Sequence, residues 1–273
     1  MTLSLLRKFS SLIASPYIFY HNHTPNHKGK QRLAIILDSL FGPFIMKTGN
    51  GLVMELFLSS PMDMSYCRLE ATLTESQNQI IEHINNLEEG DIFIDVGANI
   101  GYYSLLAASQ VGLSGKVFSF EPSPREFQRL LSNLSLNQAK NVIPFNCALS
   151  SKKEILQLTV ADKHTGLNYL GNEDSENSVL VSALPGDMLL DMVTTSGKIT
   201  VKIDVEGGEF SVLSGMESFL KQKIVKAVIV EITPKFLDRF SHTKAMIYEL
   251  MADCDYTPTV KADSWQYDEV FIH

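Results

Sequence analysis

The sequence predicts an α/β fold built around a doubly wound parallel sheet. An apolar run of strand length at 91–96 enters a tight turn at Gly97 and is followed by a helical pattern. Further apolar runs alternate with helical segments along the chain, as in parallel sheets that helices cover on both faces. Acidic residues stand at or near the ends of several runs, where ligands bind in such sheets.

The composition is that of an acidic globular protein without a disulfide scaffold. Its 273 residues carry a formal net charge of −8, so it lacks the broad positive field that nucleic-acid binding relies on, and we expect no nucleic-acid partner. The cysteines Cys67, Cys147 and Cys254 are far apart and form no C-x-x-C pair. We expect free thiols in a reducing environment, which indicates a cytoplasmic protein.

Residues 1–75 are predicted to form an N-terminal extension, partly irregular, that precedes a ligand-binding domain at 76–273. A strand is expected near 51–58, between two turn-rich segments. An apolar run at 12–20 follows two basic residues, but it is too short to span a bilayer and a proline interrupts it. This run either packs on the domain or contacts a membrane surface, and the polar stretch 21–27 is predicted to be a loop.

The first half of the domain alternates between helices and strands. Apolar residues at helical spacing predict a helix over 74–87, and a second helix begins at Gly101 after the glycine turn. A proline at the first helical position after Ser123 predicts a third helix that runs to about Asn137. The strands of this half are expected at 91–96, 117–120 and 141–146.

The second half of the domain contains an insertion and then resumes the alternation. Strand-like runs at 154–160 and 178–181 enclose a polar stretch and predict an inserted hairpin, which we interpret as a lid or an acceptor-binding element. The alternation continues with helices at 209–220 and 244–251 and with strands at 199–204, 225–231, 256–259 and 269–272.

The glycine turn and the acidic strand ends together predict a nucleoside-binding site. Gly97 allows a sharp turn and a close approach by a ligand, and the helix that begins at Gly101 directs free N–H groups towards the strand end. Glu121 ends the next strand, where a carboxylate can accept hydrogen bonds from both hydroxyls of a ribose. Because crowded carboxylates repel one another, fold stability does not explain four acidic groups on one rim: Asp95, Glu121, Asp204 and Glu231.

Four sequence blocks sharpen the prediction of a nucleoside site. They begin at Asp95 (DVGANIGYYS), Glu121 (EPSP), Asn146 (NCALS) and Lys202 (KIDVEGGE). In this order they resemble the FkbM family of S-adenosylmethionine-dependent methyltransferases, over roughly residues 75–273. The resemblance implies the Rossmann-like class I methyltransferase fold, with a mostly parallel seven-stranded sheet whose last strand is antiparallel.

The resemblance also implies where S-adenosylmethionine lies. The methionine part would pass over the glycine turn, the ribose hydroxyls would be held by Glu121, and the adenine would lie against residues that follow the third strand. The expected cofactor-binding residues are Asp95, Gly97, Ala98, Asn99, Gly101, Glu121, Pro122, Cys147, Ala148 and Asp204. Because family members mostly methylate hydroxyl groups, a carbohydrate or another small-molecule acceptor is expected, such as a sugar or a secondary metabolite.

Three carboxylates are the expected catalytic residues: Asp204, Glu206 and Glu231. Transfer to a hydroxyl group is helped by a base near the acceptor, and the first two residues point to one side if the strand geometry persists. We expect one of them, in the first place Asp204, to orient or deprotonate the acceptor. His164 and His242 titrate near neutral pH and are alternative bases, although a solvated histidine or a neighbour of a helix cap is the commoner case.

A Mg²⁺ site is an alternative role for Asp204 and Glu231, because hard cations prefer oxygen ligands and the two residues end neighbouring strands. In the competing interpretation Glu231 caps the following turn or binds the substrate, and no metal ligand is assigned. Lys202 is unusual in a buried strand and is expected to pair with an acidic group or to extend towards the rim.

Two other functions compete with methyl transfer. A nicotinamide-dependent oxidoreductase with a Rossmann fold fits the glycine turn and Glu121, but it does not account for the Asp-Val-Glu-Gly segment that begins at Asp204. A non-catalytic nucleoside-binding module is the third possibility, although the intact glycine turn and acidic strand ends argue against it.

Overall fold

The N-terminal extension is mostly helical. The computed structural model describes residues 3–25, 27–67, 75–160, 169–170, 178–193, 197–259 and 265–273. The extension contains α1 (Leu3–His23), α2 (Lys28–Phe41), β1 (Phe44–Lys47), β2 (Val53–Leu56) and α3 (Pro61–Tyr66). β1 and β2 pair as a small antiparallel sheet.

The extension is more regular than the sequence suggested. α1 continues through Pro16 to His23, so the helix takes up part of the predicted loop. Ala14 and Tyr17 are buried on either side of the proline, and this packing outweighs the hydrogen bond that a proline removes from a helix. The strand predicted near 51–58 corresponds to β2, whose partner β1 carried no clear sequence signal. Among the described helices, none is long and apolar enough to cross a membrane.

The domain that follows alternates strands and helices in both of its halves. Its first half contains α4 (Glu75–Asn85), β3 (Ile92–Val96), α5 (Tyr102–Val111), β4 (Lys116–Phe120), α6 (Pro124–Leu136) and β5 (Val142–Phe145). Its second half contains β6 (Ala148–Ser150), β7 (Glu154–Thr159), β8 (Tyr169–Leu170), β9 (Ser178–Pro185), α7 (Leu189–Met192), β10 (Ile199–Ile203), α8 (Glu209–Ser214), α9 (Glu217–Lys221), β11 (Val225–Ile232), α10 (Pro234–Leu237), α11 (Lys244–Asp253), β12 (Thr257–Pro258) and β13 (Tyr267–Ile272).

Seven strands form the central sheet in the order β12-β13-β11-β10-β3-β4-β5. The pairs from β11 to β5 are parallel, and β13 runs antiparallel to β11. The predicted fold class is therefore confirmed, including the antiparallel last strand. The winding reverses between β3 and β10, which is where ligands bind in doubly wound sheets.

The two faces of the sheet carry separate apolar cores, as the alternation of side chains along each strand requires. In β3, for example, Ile92, Ile94 and Val96 belong to one core and Phe93 belongs to the other. All five residues of β3 are buried, including Asp95, whose side chain lies on the same face of the sheet as Phe93.

The insertion forms a second sheet in the order β6-β9-β7-β8. The predicted hairpin corresponds to the antiparallel pair β7 and β9, and β6 adds to β9 in parallel. The helix predicted over 209–220 is divided into α8 and α9 at Gly215 and Met216. A Cβ atom at Gly215 would lie 1.9 Å from the carbonyl oxygen of Ser150, so the second sheet and the divided helix meet through a backbone contact that only glycine allows.

Candidate active site

A cavity of about 430 Å³ opens at the carboxyl ends of the central strands, within the usual size range of small-molecule sites. Its wall includes the turn after β3, the end of β4, the residues after β5 and the end of β10. The sequence-predicted residues in this wall are Gly97, Ala98, Asn99, Glu121, Pro122, Cys147, Ala148, Asp204, Glu206 and Glu231.

The glycine turn forms one side of the cavity because two strand ends touch behind it. Gly97 has a φ of +83°, and a Cβ atom there would lie 1.8 Å from the carbonyl oxygen of Asp204. The N–H groups of Gly97 and Ala98 both donate to the carbonyl oxygen of Phe120 at 2.9 Å. The turn is thus fixed against two neighbouring strands, and its outer surface faces the cavity.

Glu121 is held at the cavity wall by two backbone donors. Its Oε2 accepts from the N–H of Asn99 and its Oε1 from the N–H of Ser123, both at 2.8 Å. A carboxylate offers about four lone-pair positions, so each oxygen keeps accepting capacity beyond these bonds. The side chain is almost completely buried, and burial raises the pKa of Glu121 to about 8.

Two predicted cofactor residues lie outside the cavity wall. Asp95 is not on the rim that the sequence suggested, because β3 directs its side chain into a face of the sheet, where its Oδ2 accepts from Ser104 Oγ at 2.6 Å. Burial raises the pKa of Asp95, and the ammonium group of Lys202 opposes that shift. Gly101 is the N-cap residue of α5, and a Cβ atom there would lie 2.4 Å from Leu130 Cδ1. These residues support the wall from behind.

Lys202 links the buried acidic group to the cavity. The register of β3 and β10 places Lys202 beside Asp95, and its Nζ lies 3.7 Å from Asp95 Oδ1. The same Nζ lies 3.2 Å from Asp204 Oδ2 and 5.1 Å from the centroid of the Tyr103 ring. Burial acts to lower the pKa of Lys202, but Asp204 and Asp95 outweigh it and raise the pKa. The expectation that Lys202 pairs with an acidic group is met.

Asp204, Glu206 and Glu231 form a carboxylate cluster, in which one oxygen of each lies within 4.8 Å of the others. The condition for the predicted proximity of Asp204 and Glu206, that the strand geometry persists, is not met: β10 ends at Ile203, and Glu206 adopts a left-handed conformation with a φ of 59°. Burial is the larger cause and the negative charge of Asp204 the second cause of two pKa shifts: the pKa of Glu206 is raised to about 8, and the pKa of Glu231 is raised well above its usual value. Gln266 Nε2 donates to Glu231 Oε1 at 2.6 Å.

Part of the cavity wall was missed in the sequence. Met62 and Tyr66 of α3 bring the extension into the site, and Tyr66 stacks on Tyr102 at a centroid distance of 4.2 Å. Adjacent tyrosines directly after the glycine block were a usable signal, whereas nothing near Tyr66 marked it. Trp265 and Asp268 complete the wall beside β13. Trp265 is the chain's single tryptophan and is 76% exposed.

The histidine alternatives do not join this constellation. His164 lies outside the described residues. His242 packs against Phe210 and Phe240 outside the cavity wall, and burial lowers its pKa. The cysteines are free thiols, as expected, and Cys147 lies in the cavity wall.

Comparison with known proteins gives a consistent picture. Residues 95–258 match the profile of the methyltransferase FkbM domain. The chain is 34% identical over 149 residues to the hexuronic acid methyltransferase AglP of Haloferax volcanii. The aligned region covers 55% of this chain and 59% of that protein. The chain is also 33% identical over 132 residues to the methyltransferase sdnD of Sordaria araneosa, and this aligned region covers 45% of the chain and 47% of that protein.

The chain spans about half of the length of the curated relatives that it matches. Among solved structures, an rRNA methylase from Streptococcus thermophilus covers 74% of this chain and 98% of its own, with a TM-score of 0.45 and 10% sequence identity.

Proposed function

Because the chain belongs to the FkbM family of methyltransferases, we propose that it transfers a methyl group from S-adenosylmethionine to a hydroxyl group of a sugar or secondary-metabolite acceptor. The observation that supports this proposal is the set of groups that line one cavity. A glycine turn and a buried carboxylate with free accepting capacity line one part of its wall, and a carboxylate cluster lines another.

The chemistry of the wall suits the cofactor. Ribose hydroxyls can donate to the lone pairs that Glu121 keeps beyond its bonds to Asn99 and Ser123. Cys147 and Ala148 are buried, small and weakly polar, which suits the faces of an adenine ring. The turn at Gly97 offers a surface without side-chain bulk to the methionine part.

The reaction needs alignment and one proton acceptor. S-adenosylmethionine supplies an electrophilic methyl group when bound. Asp204 accepts the proton of the acceptor hydroxyl, whose oxygen would take the methyl group as the bond from that group to the cofactor sulfur breaks and a neutral thioether leaves. Lys202, whose Nζ lies 3.2 Å from Asp204 Oδ2, orients that carboxylate. Glu206 and Glu231, whose pKa values are raised, hold the other hydroxyl groups of the acceptor and can donate as well as accept. The wall fixes the approach of the hydroxyl, and such alignment can supply a large part of the rate gain.

An uncharged sugar fits the acceptor side best. The exposed ring of Trp265 offers an apolar face on which the C–H groups of a sugar ring can pack, and hydroxyl groups can donate to the carboxylate cluster. The name of AglP assigns a hexuronic acid to that protein, which supports a sugar acceptor here too. Asp204, the carboxylate that accepts the proton in this scheme, would repel an anionic sugar, so we propose a neutral one for this chain.

The carboxylate cluster also has the spacing of a divalent-cation site. We propose that Lys202, and not Mg²⁺, supplies the positive charge at Asp204, because its Nζ already lies 3.2 Å from Asp204 Oδ2. Turnover that persists in excess EDTA supports this assignment. Turnover that EDTA abolishes and Mg²⁺ restores assigns a metal to the cluster instead.

Transfer of a labelled methyl group to a panel of neutral sugars and matched uronic acids tests the proposal. Asp204→Asn is expected to lower kcat about 100-fold or more, the usual contribution of a general base, while calorimetry shows unchanged binding of S-adenosylhomocysteine. Unchanged turnover of Asp204→Asn would exclude this residue as the base. Binding of NAD in place of S-adenosylhomocysteine would favour the oxidoreductase, and cofactor binding without any transfer would favour the non-catalytic module.

A further inference from the structure

The helical hairpin formed by α1 and α2 carries an apolar surface that the described part of the chain leaves uncovered. On α1, Phe9, Leu12 and Phe19 follow helical spacing and lie on one face, and Leu12 is 75% exposed. On α2, a second exposed face also follows helical spacing and consists of Leu33, Ile36 and Leu40. The rings of Phe9 and Phe41 lie 6.0 Å apart and join the two helices at one end of the hairpin.

The hairpin is firmly built, so its exposed face does not result from loose packing. Lys30 is buried, and its Nζ donates to the carbonyl oxygens of His21 and Thr24, which closes the turn between α1 and α2. Asp38 accepts from the N–H groups of Leu58 and Ser59 at 2.9 and 2.7 Å. These two residues precede α3, which supplies Met62 and Tyr66 to the cavity wall, so the hairpin is tied to the active site.

The charge of this segment is opposite to that of the rest of the chain. Residues 1–41 contain five basic residues and one acidic residue, a net charge of +4, whereas the remaining residues carry a net charge of −12. The single acidic residue, Asp38, is occupied by its backbone bonds. Lys28 and Arg32 are exposed and form no ion pair with a described residue.

We propose that the α1–α2 hairpin binds the surface of an anionic lipid bilayer and holds the active site there. Exposed apolar side chains enter the interfacial region of a bilayer, and basic residues beside them are attracted to anionic headgroups. A second copy of the chain fits this surface less well, because a two-fold contact would bring two segments of net charge +4 together. The binding is peripheral and reversible.

Flotation of the 273-residue chain with vesicles tests this proposal. One set of vesicles contains phosphatidylcholine alone, and a second set also contains phosphatidylglycerol. We expect binding to the anionic vesicles that weakens at high salt, because salt screens exposed charges. Replacing Lys28 and Arg32 by glutamine is expected to weaken that binding about 25-fold, since each basic group near an anionic surface contributes about fivefold.

Substitutions on the apolar face separate its role from that of charge. Leu12→Ser combined with Leu40→Ser is expected to abolish flotation, while the matched pair Ile155→Ser and Leu180→Ser, which removes equally exposed apolar groups from β7 and β9, leaves it unchanged. Circular dichroism and binding of S-adenosylhomocysteine confirm that each variant is folded. The proposal is overturned if the wild type does not float with anionic vesicles, or if the hairpin variants change the oligomeric state and not flotation.

Discussion

Replacing Lys202 by methionine is expected to destabilise the protein by about 3–5 kcal/mol, because it removes one partner of a buried charge network. Lys202 is only 2% exposed, and its ammonium group is the cation that faces both Asp95 and Asp204. Methionine keeps most of the side-chain volume, so the loss reports the charge and not a cavity. For a domain of this size the melting temperature should fall by roughly 10 °C.

The destabilisation should depend on pH in a defined direction. Burial raises the pKa of Asp95 in the folded protein, so this group favours folding at low pH and loses that contribution as the pH rises. Without Lys202 the pKa of Asp95 rises further, and the deficit of Lys202→Met should therefore be larger near pH 8 than near pH 5. Adding Asp95→Asn to Lys202→Met should restore part of the lost stability at the higher pH.

Urea unfolding at several pH values measures these differences, and Lys198→Met is the matched control. Lys198 Nζ donates to Glu88 Oε1 at 2.8 Å, but both side chains are exposed, so its loss should hardly change stability. If Lys202→Met were as stable as Lys198→Met, or if Asp95→Asn brought no recovery, the buried network would not have the role assigned to it here.

Three further outcomes are expected. Gly97→Ala should abolish cofactor binding and lower the melting temperature, because its Cβ would lie 1.8 Å from a carbonyl oxygen. The matched control Gly208→Ala should change neither property, because its added methyl group would meet Val205 at 3.4 Å. The affinity for S-adenosylhomocysteine should rise as the pH passes about 8, because Glu121 ionises there and ribose hydroxyls donate best to a carboxylate. Calorimetry should show that Glu121→Gln binds S-adenosylhomocysteine about 10-fold more weakly than the wild type above that pH, and that its affinity does not rise with pH. Glu206, with a folded pKa of about 8, binds its proton more tightly when folded, so stability should fall between about pH 5 and pH 8, and thermal unfolding of Glu206→Gln should show a shallower fall.

The central sheet could be predicted from sequence because its signals are local. Apolar runs, helical spacing and the proline after Ser123 each depend on neighbouring residues, and the strands and helices follow them closely. The divided helix could not be predicted in this way. Gly215 is required by its contact with the backbone of Ser150, which is distant in sequence.

In the candidate site, too, the residues marked by local patterns were predicted, and those brought there by tertiary contacts were not. Gly97, Glu121 and Asp204 directly follow strands that the pattern itself identified, so their positions followed from the fold. Tyr66 and Trp265 reach the cavity from the extension and from beside the last strand, and their spacing carried no information about that destination. Asp95, in contrast, was expected on the rim of the cavity and does not lie there. The residue was correctly identified as part of the glycine block, but the alternation of β3 buries it beside Lys202.

Calorimetric titration of the 273-residue chain with S-adenosylhomocysteine shows whether the glycine turn and Glu121 hold the cofactor. We expect saturable one-to-one binding that Gly97→Ala abolishes and that Asp204→Asn leaves intact. Absence of binding by the wild type, or binding that is unaffected by Gly97→Ala, would contradict it.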